Sequence, residues 1–246
     1  MSESFKNIRE LFLDNKIYTK IYQPVLRGNS CAVILSHGYN SSHDDVEDIA
    51  QALAERGYFA CTFDFCGGST RSKSVGKSTD MSVSSELDEL SRMIEFVRTT
   101  SGAEKLFLYG ESQGGFVSAL AACHNDIDGM ALLYPAFCIP DDWKNSPLAE
   151  MQAPFEFMGM TLSNSFCDGL PKYDIFDKIR KCDIPVLIIH GTTDKVVNIR
   201  YAQKAADCFP NAALKLYDGE GHGFSPQARR SEISDVTDFF DKNSVI

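Results

Sequence analysis

The sequence predicts an α/β protein, with a mostly parallel β-sheet covered by helices on both faces. Three observations predict it. Short, continuously apolar runs alternate with longer stretches whose apolar residues recur at helical spacing. The apolar runs lack the in–out alternation of a half-solvated sheet, so they suit strands buried on both sides. A serine boxed by glycines, Gly110-Glu111-Ser112-Gln113-Gly114, joins one such run to one such helix.

The elements follow in order. IRELFLD and KIYTKIYQP alternate apolar and polar residues, as a two-stranded antiparallel start would. CAVILSHG (31–38) is a buried strand. In DDVEDIAQALAERG, Val46, Ile49, Ala50, Leu53 and Ala54 share a helix face, and Gly57 stops it. YFACTFDF (58–65) is a strand. SELDELSRMIEFVRTTSG is a helix with Leu87, Leu90, Met93, Ile94 and Val97 on one side. KLFLYGES (105–112) is a strand, QGGFVSALAACHN a small-residue helix and GMALLYP (129–135) the sixth strand. The rhythm then breaks. Residues 136–180 hold Pro140, Pro147, Pro154 and Pro171 amid Trp143, Phe155, Phe157, Met158, Met160 and Phe166, with no clear strand pattern. That is too long for a plain connection. It reads as an insertion over the carboxyl edge of the sheet, where open α/β sheets bind ligands. IPVLIIHGTTD resumes a strand, IRYAQKAADCFP a helix, AALKLYDGEGHG a strand and RRSEISDVTDFFDKN a closing helix.

The net charge is −10 and the basic residues are scattered, so neither nucleic acid nor an anionic membrane is an expected partner. MSESFKNIRELFLDN carries no apolar signal core, and no stretch reaches about 18 apolar residues. The eight cysteines form no CxxC pair, and several lie in apolar runs. They read as reduced, buried thiols of a cytoplasmic protein. The five histidines and eight cysteines show no metal-ligand spacing, so no metal site is expected.

Gly110 to Gly114 fits G-x-S-x-G between a strand and a helix, the setting of a nucleophile elbow. Ser112 then sits on a sharp, strained turn, and side chains two residues to either side would strike backbone. A serine hydroxyl needs a base to take its proton. Of the histidines, His37 and His190 end buried strands, His43 opens a helical region and His124 ends a helix. His222, in the loop GEGHGF, is late enough for the order serine, acid, histidine. Asp194, after the strand IPVLIIHG, is the expected orienting acid. An oxyanion needs two backbone donors. Gln113 N–H would supply one. Tyr39 N–H, after CAVILSHG, would supply the other, unless Tyr39 is only a wall of the pocket.

SHGYN, FDFCGGS, GESQGG, HGTTDKVV and GEGHGF fall in order, and with them the chain resembles the α/β-hydrolase family over nearly its whole length. The resemblance implies one domain over 1–246, an eight-stranded sheet, and a cap over 136–180 after the sixth strand. The SQGG elbow, the short first oxyanion loop and the insertion are similar to bacterial cinnamoyl (feruloyl) esterases and related carboxylesterases. Two positions depart from that subgroup. Glu111 stands where histidine is frequent, and DFCGGS where DxxGHG is frequent. In such enzymes insertion residues contact the phenolic ring. By position these would be Tyr173, with Asp141 or Asp142. The alternative is that Tyr173 packs the insertion onto the sheet and the aspartates are solvated. Trp143 and the other insertion aromatics line a pocket, form a core for the cap, or both. Glu111 is expected to be an anchor beneath the elbow.

The expected activity is that of a serine carboxylesterase acting on small acyl or aryl esters through an acyl-enzyme on Ser112. The alternative is a monoacylglycerol lipase, thioesterase or acyltransferase using the same triad. No cofactor is implied. The expected partner is a small-molecule ester, and a homodimer is compatible with the sequence.

Overall fold

The computed structural model describes residues 8–24, 30–144, 152–167, 170 and 173–245. Strands β1 (Ile8–Leu13) and β2 (Ile17–Tyr22) form the antiparallel start. Their turn puts Asp14 and Asn15 at positive φ, 53° and 56°, a conformation these residue types tolerate. There follow β3 (Cys31–Ser36), α1 (Glu47–Glu55), β4 (Phe59–Phe63), α2 (Val83–Thr100), β5 (Lys105–Glu111), α3 (Ser112–Ala122) and β6 (Gly129–Leu133). Beyond the insertion come β9 (Val186–Gly191), α7 (Arg200–Cys208), β10 (Ala212–Tyr217) and α8 (Pro226–Ser244).

The eight-stranded sheet has the order β1-β2-β4-β3-β5-β6-β9-β10. β2 pairs antiparallel with both β1 and β4, and every pairing from β4 to β10 is parallel. The expected mostly parallel sheet is present. Alternation along the strands divides the core in two. Ile34, Leu108, Leu132 and Ile188 face α2, α3 and α7. Val33, Phe107, Leu133 and Ile189 face the other way, toward Ile49 and Leu53 of α1 and Val236 and Phe240 of α8. This two-sided burial explains why the strands read as unbroken apolar runs.

The parallel register brings the carboxyl ends of β3, β5, β9 and β10 to one edge. The insertion lies over it. It contains α4 (Ile139–Lys144), an antiparallel hairpin of β7 (Phe155–Phe157) and β8 (Met160–Leu162), α5 (Asn164–Cys167) and α6 (Ile175–Ile179). The hairpin differs from the sequence expectation of no strand. Three residues per strand are too few for alternation to register, and the turn is carried by Met158 and Gly159 at φ 43° and 82°. Trp143 is the hub of this cap. Its ring lies 5.1 Å from Phe157, 5.2 Å from Phe166 and 6.1 Å from Phe155. Residues 145–151, within the expected insertion, lie outside the described residues. Among the described residues no helix is long and apolar enough to cross a membrane.

Candidate active site

Ser112 stands where β5 gives way to α3, at φ 49°, in the left-handed region that L side chains rarely adopt. The neighbouring glycines permit this turn. A Cβ on Gly110 would lie 2.6 Å from the Gly114 carbonyl oxygen, and one on Gly114 would lie 2.3 Å from that of His37. The elbow therefore presses against the end of β3, and backbone blocks both positions.

The structure brings Ser112, Asp194 and His222 together from three separate segments. His222 Nε2 is 3.0 Å from Ser112 Oγ, and His222 Nδ1 is 2.8 Å from Asp194 Oδ2. The Asp194 side chain is fully covered, and its Oδ1 accepts from Val196 N–H and Val197 N–H at 2.8 and 2.9 Å. Burial alone would raise its pKa. The bonds from His222, Val197 and Val196 outweigh burial and hold the carboxyl below its ordinary value. An anionic Asp194 requires the proton of neutral His222 to sit on Nδ1, which turns the Nε2 lone pair toward Ser112. The Tyr134 ring packs on the imidazole with centroids 4.4 Å apart.

Of the other four histidines, three are engaged elsewhere, and His190 lies behind the relay with its Nε2 3.4 Å from Asp194 Oδ2. His37 bonds the Gly38 carbonyl through Nδ1 at 2.8 Å and accepts from Phe65 N–H at Nε2, 3.1 Å away. Burial lowers its pKa, so it is a neutral brace for the turn after β3. His190 is likewise lowered by burial and bonds the Val197 carbonyl at 2.9 Å. His43 bonds Asp64, and His124 lies beside Lys178.

That braced turn carries Tyr39. Among the described residues its N–H has no protein acceptor, while its hydroxyl donates to the Phe157 carbonyl at 2.8 Å. Gln113 lies in the first turn of α3, whose N–H groups have no partner within the helix. These are the two expected donors, flanking Ser112.

A cavity of about 200 Å³ opens beside Ser112 and His222. Tyr39, Trp143, Phe157 and Phe166 supply aromatic walls, and Val196 and Met158 stand at its rim, 50% and 60% exposed. Ile139, Asp142 and Trp143, at helical spacing i, i+3, i+4, present one face of α4 to it. Asp141 and Tyr173 correct the sequence expectation, because neither reaches this cavity. Asp141 lies a third of a turn away on α4, where Tyr201 donates to its carboxylate at 3.0 Å. Tyr173 lies in the same outer depression and packs edge-on against Phe116, centroids 6.4 Å apart. Tyr173 therefore takes the packing role. Val196 and Val197 were not anticipated as lining, although they directly follow Asp194 in the sequence.

Glu111 is anchored beneath the elbow, 8% exposed. Its Oε1 accepts from Arg229 at 2.7 Å and from the Tyr109 hydroxyl at 2.8 Å. Arg229 also meets Glu232 at 3.2 Å and Asp48 at 2.7 Å. Glu232 is fully buried, and burial pushes its carboxyl up to about 8 despite Arg229. Glu111 and Glu232 share one guanidinium, and for Glu232 the cost of burial outweighs that cation. Neither Arg229 nor Glu232 carried a sequence signal.

A family model described as serine aminopeptidase, S33, matches residues 29–170, and one described as TAP-like protein matches 153–245. Among curated proteins, the chain is 38% identical over 78 residues to a non-heme chloroperoxidase, CPO-A1, of Kitasatospora aureofaciens. It is 26% identical over 110 residues to the carbamate hydrolase RutD of Caulobacter sp. (strain K31), which is described as putative. These matches cover 30% and 43% of this chain and only 28% and 41% of those relatives. Among solved structures, Est1E of Butyrivibrio proteoclasticus with ferulic acid bound superposes with a TM-score of 0.84 at 21% identity, covering 96% of this chain and 98% of that one. A monoacylglycerol lipase of Paleococcus ferrophilus superposes with a TM-score of 0.70 at 16% identity, covering 91% and 99%. At such identities the likeness is one of fold.

Proposed function

The chain belongs to the serine aminopeptidase S33 family of α/β hydrolases, and from that premise we propose that it is a serine carboxylic-ester hydrolase acting on small acyl or single-ring aryl esters. The observation that carries this reading is the relay Asp194–His222–Ser112, at 2.8 and 3.0 Å, opening onto a small apolar cavity.

Ser112 Oγ attacks the ester carbonyl while His222 Nε2 takes its proton. The carbonyl oxygen becomes an oxyanion held by the Tyr39 and Gln113 N–H groups. His222 hands the proton to the departing alcohol, leaving an acyl group on Ser112. Water then attacks the acyl carbon while His222 takes its proton, and His222 returns that proton to Ser112 Oγ as the bond to serine breaks and the acid departs. Asp194 keeps the imidazole oriented and balances its charge in each half.

The cavity argues for the size class. At about 200 Å³ it is smaller than the roughly 300–1,000 Å³ of sites for drug-sized ligands. Its walls suit a short acyl chain or one aromatic ring. The exposed Met158 and Val196 at the mouth favour a second reading, a monoacylglycerol-type lipase whose longer chain runs out over that rim. An aminopeptidase would need a carboxylate to receive a substrate ammonium, and Asp142 is the carboxylate among the described lining residues.

Initial rates on methyl ferulate, p-nitrophenyl acetate, p-nitrophenyl octanoate, a monoacylglycerol and an amino-acid p-nitroanilide separate these readings. Ester turnover that Ser112→Ala lowers by about 10⁴-fold or more is the expected result. Turnover of the anilide alone would replace the esterase reading with a peptidase. Ester hydrolysis retained by the variant would refute the assignment of Ser112.

A further inference from the structure

Beneath the candidate oxyanion site lies a carboxyl group that the mechanism above does not use. Glu86, on α2, is 1% exposed. The side-chain amide of Gln113 reaches down from the start of α3 and donates through Nε2 to both Glu86 oxygens, at 2.9 and 2.8 Å. Gln113 is itself 3% exposed. The residue offering one oxyanion donor is thus tied through its side chain to a buried acid. Tyr39, which offers the other donor, also feels that acid. Its phenol is pushed up by burial and by the charges of Glu156 and Glu86.

The groups around Glu86 do not neutralise it. On α2, Glu89 lies one turn further on, accepts from Cys66 N–H at 2.9 Å and has Lys16 at 3.7 Å. Lys16, in the turn before β2, is spent on Glu89 and half exposed. The Cys66 thiol, after β4, is pushed up to about 12 by burial and by Glu89. Tyr39 approaches from the turn after β3, and Ser112 with His222 lies beyond Gln113. Among the described residues no lysine, arginine or histidine forms an ion pair with Glu86. Burial, reinforced by Glu89, pushes its carboxyl up to about 8, against the Gln113 hydrogen bonds.

We propose that Glu86 is a positioning residue for the oxyanion site: as a neutral acid it anchors Gln113, and when ionised it sets a negative charge beneath the place where the substrate oxygen becomes negative. This rests on the serine-hydrolase reading of Ser112. The two charges act through protein rather than water, where repulsion is poorly screened. Proton loss also changes the hydrogen bonding. The neutral acid donates one O–H, which calls for the Gln113 amide turned over to present its oxygen, whereas the acceptor-only carboxylate takes both bonds from Nε2, the arrangement at 2.9 and 2.8 Å. Ionisation of Glu86 therefore alters both the electrostatics and the anchor of one donor.

The test is kcat against pH, from pH 6 to 9.5, on the best ester of the panel, with the rate of Ser112 labelling by a fluorophosphonate followed in parallel. Wild type is expected to lose activity as pH rises through about 8. Glu86→Gln keeps a neutral anchor, so it should hold its neutral-pH rate and lose that alkaline decline. Glu86→Ala should lower kcat at every pH by about tenfold, less than deletion of a full oxyanion donor, with KM little changed. Glu232→Gln should retain the decline, which separates the effect from alkaline loosening of the fold. An unaltered decline in Glu86→Gln, or a flat wild-type profile, overturns the proposal while leaving the esterase reading standing. A wild type that neither hydrolyses any ester nor labels at Ser112 overturns both.

Discussion

At the residue scale, the site depends on how closely two backbones approach. A methyl group on Gly114 would lie 2.3 and 2.5 Å from the carbonyl oxygens of His37 and Ser36. Both obstacles are main chain, so no side chain can rotate away. Gly114→Ala should lose about 1–3 kcal/mol of stability, read as a lower urea midpoint. It should lose activity out of proportion, because the strand end that must move also carries Tyr39. Asp194→Asn should act differently. The fold should survive, but the amide would stabilise the wrong His222 tautomer, and kcat should drop by about 10⁴-fold. Ser112, Asp194 and His222 were legible because each follows a strand in a short local pattern. Glu86 was not. It meets Gln113 only across the packing of α2 on α3, and a lone glutamate inside an amphipathic helix reads as an ordinary surface residue. Asp141 and Asp142 were indistinguishable in the sequence, since only the phase of α4 against the sheet decides which faces the cavity.

At the element scale, α8 and the β7–β8 hairpin hold the site from opposite sides. Arg229 of α8 reaches Glu111 at 2.7 Å and Glu232 at 3.2 Å, and only 17% of its side chain is exposed. Arg229→Met would leave two buried carboxyls without a cation, and the loss should be about 3–5 kcal/mol. Adding Glu111→Gln and Glu232→Gln should recover much of it, and a thermal-melt comparison of single and triple variants tests this. On the other side, Tyr39 reaches the Phe157 carbonyl at 2.8 Å and Asn40 the Met158 carbonyl at 3.3 Å. Tyr39→Phe removes the first bond, leaves the N–H in place and should cost about 1 kcal/mol of stability. The long elements were legible because a strand buried on both faces and a helix with one apolar side each leave a strong pattern. The hairpin was hidden by its length, and its aromatic residues serve the cap core and the cavity wall at once.

At the scale of the whole molecule, buried ionisable groups shape the response to pH. Glu86 and Glu232 are raised from 4.5 to about 8. The folded protein then binds protons more tightly than the unfolded chain across that window, so their contribution to stability is full below about 4.5 and lost as pH rises to about 8. His37 and His190 are lowered from 6.5 by burial, so the unfolded chain takes up their protons first and stability falls on acidification below that value. Asp45, Asp64 and Asp194 sit below their ordinary value of 3.8, and their contribution disappears as pH falls through the acid range. Stability should thus peak in slightly acidic to neutral solution and decline on both sides. Urea midpoints from pH 4 to 9 measure the curve. In Glu86→Gln/Glu232→Gln the alkaline decline between about 6.5 and 8 should shrink.

The clamp beneath the elbow also bears on how the chain is made. Ser112 and His222 stand 110 residues apart in the sequence, and Glu111 and Arg229 stand 118 apart. During synthesis Ser112 leaves the ribosome long before Asp194, His222 and the Arg229 guanidinium that pairs with Glu111 beneath it. The first half of the chain holds an acid that it cannot bury without cost and a serine that nothing activates. Completion of the C-terminal third supplies Asp194, His222 and Arg229 together, so the hydrogen-bonded relay to Ser112 forms only once the sheet has closed around it.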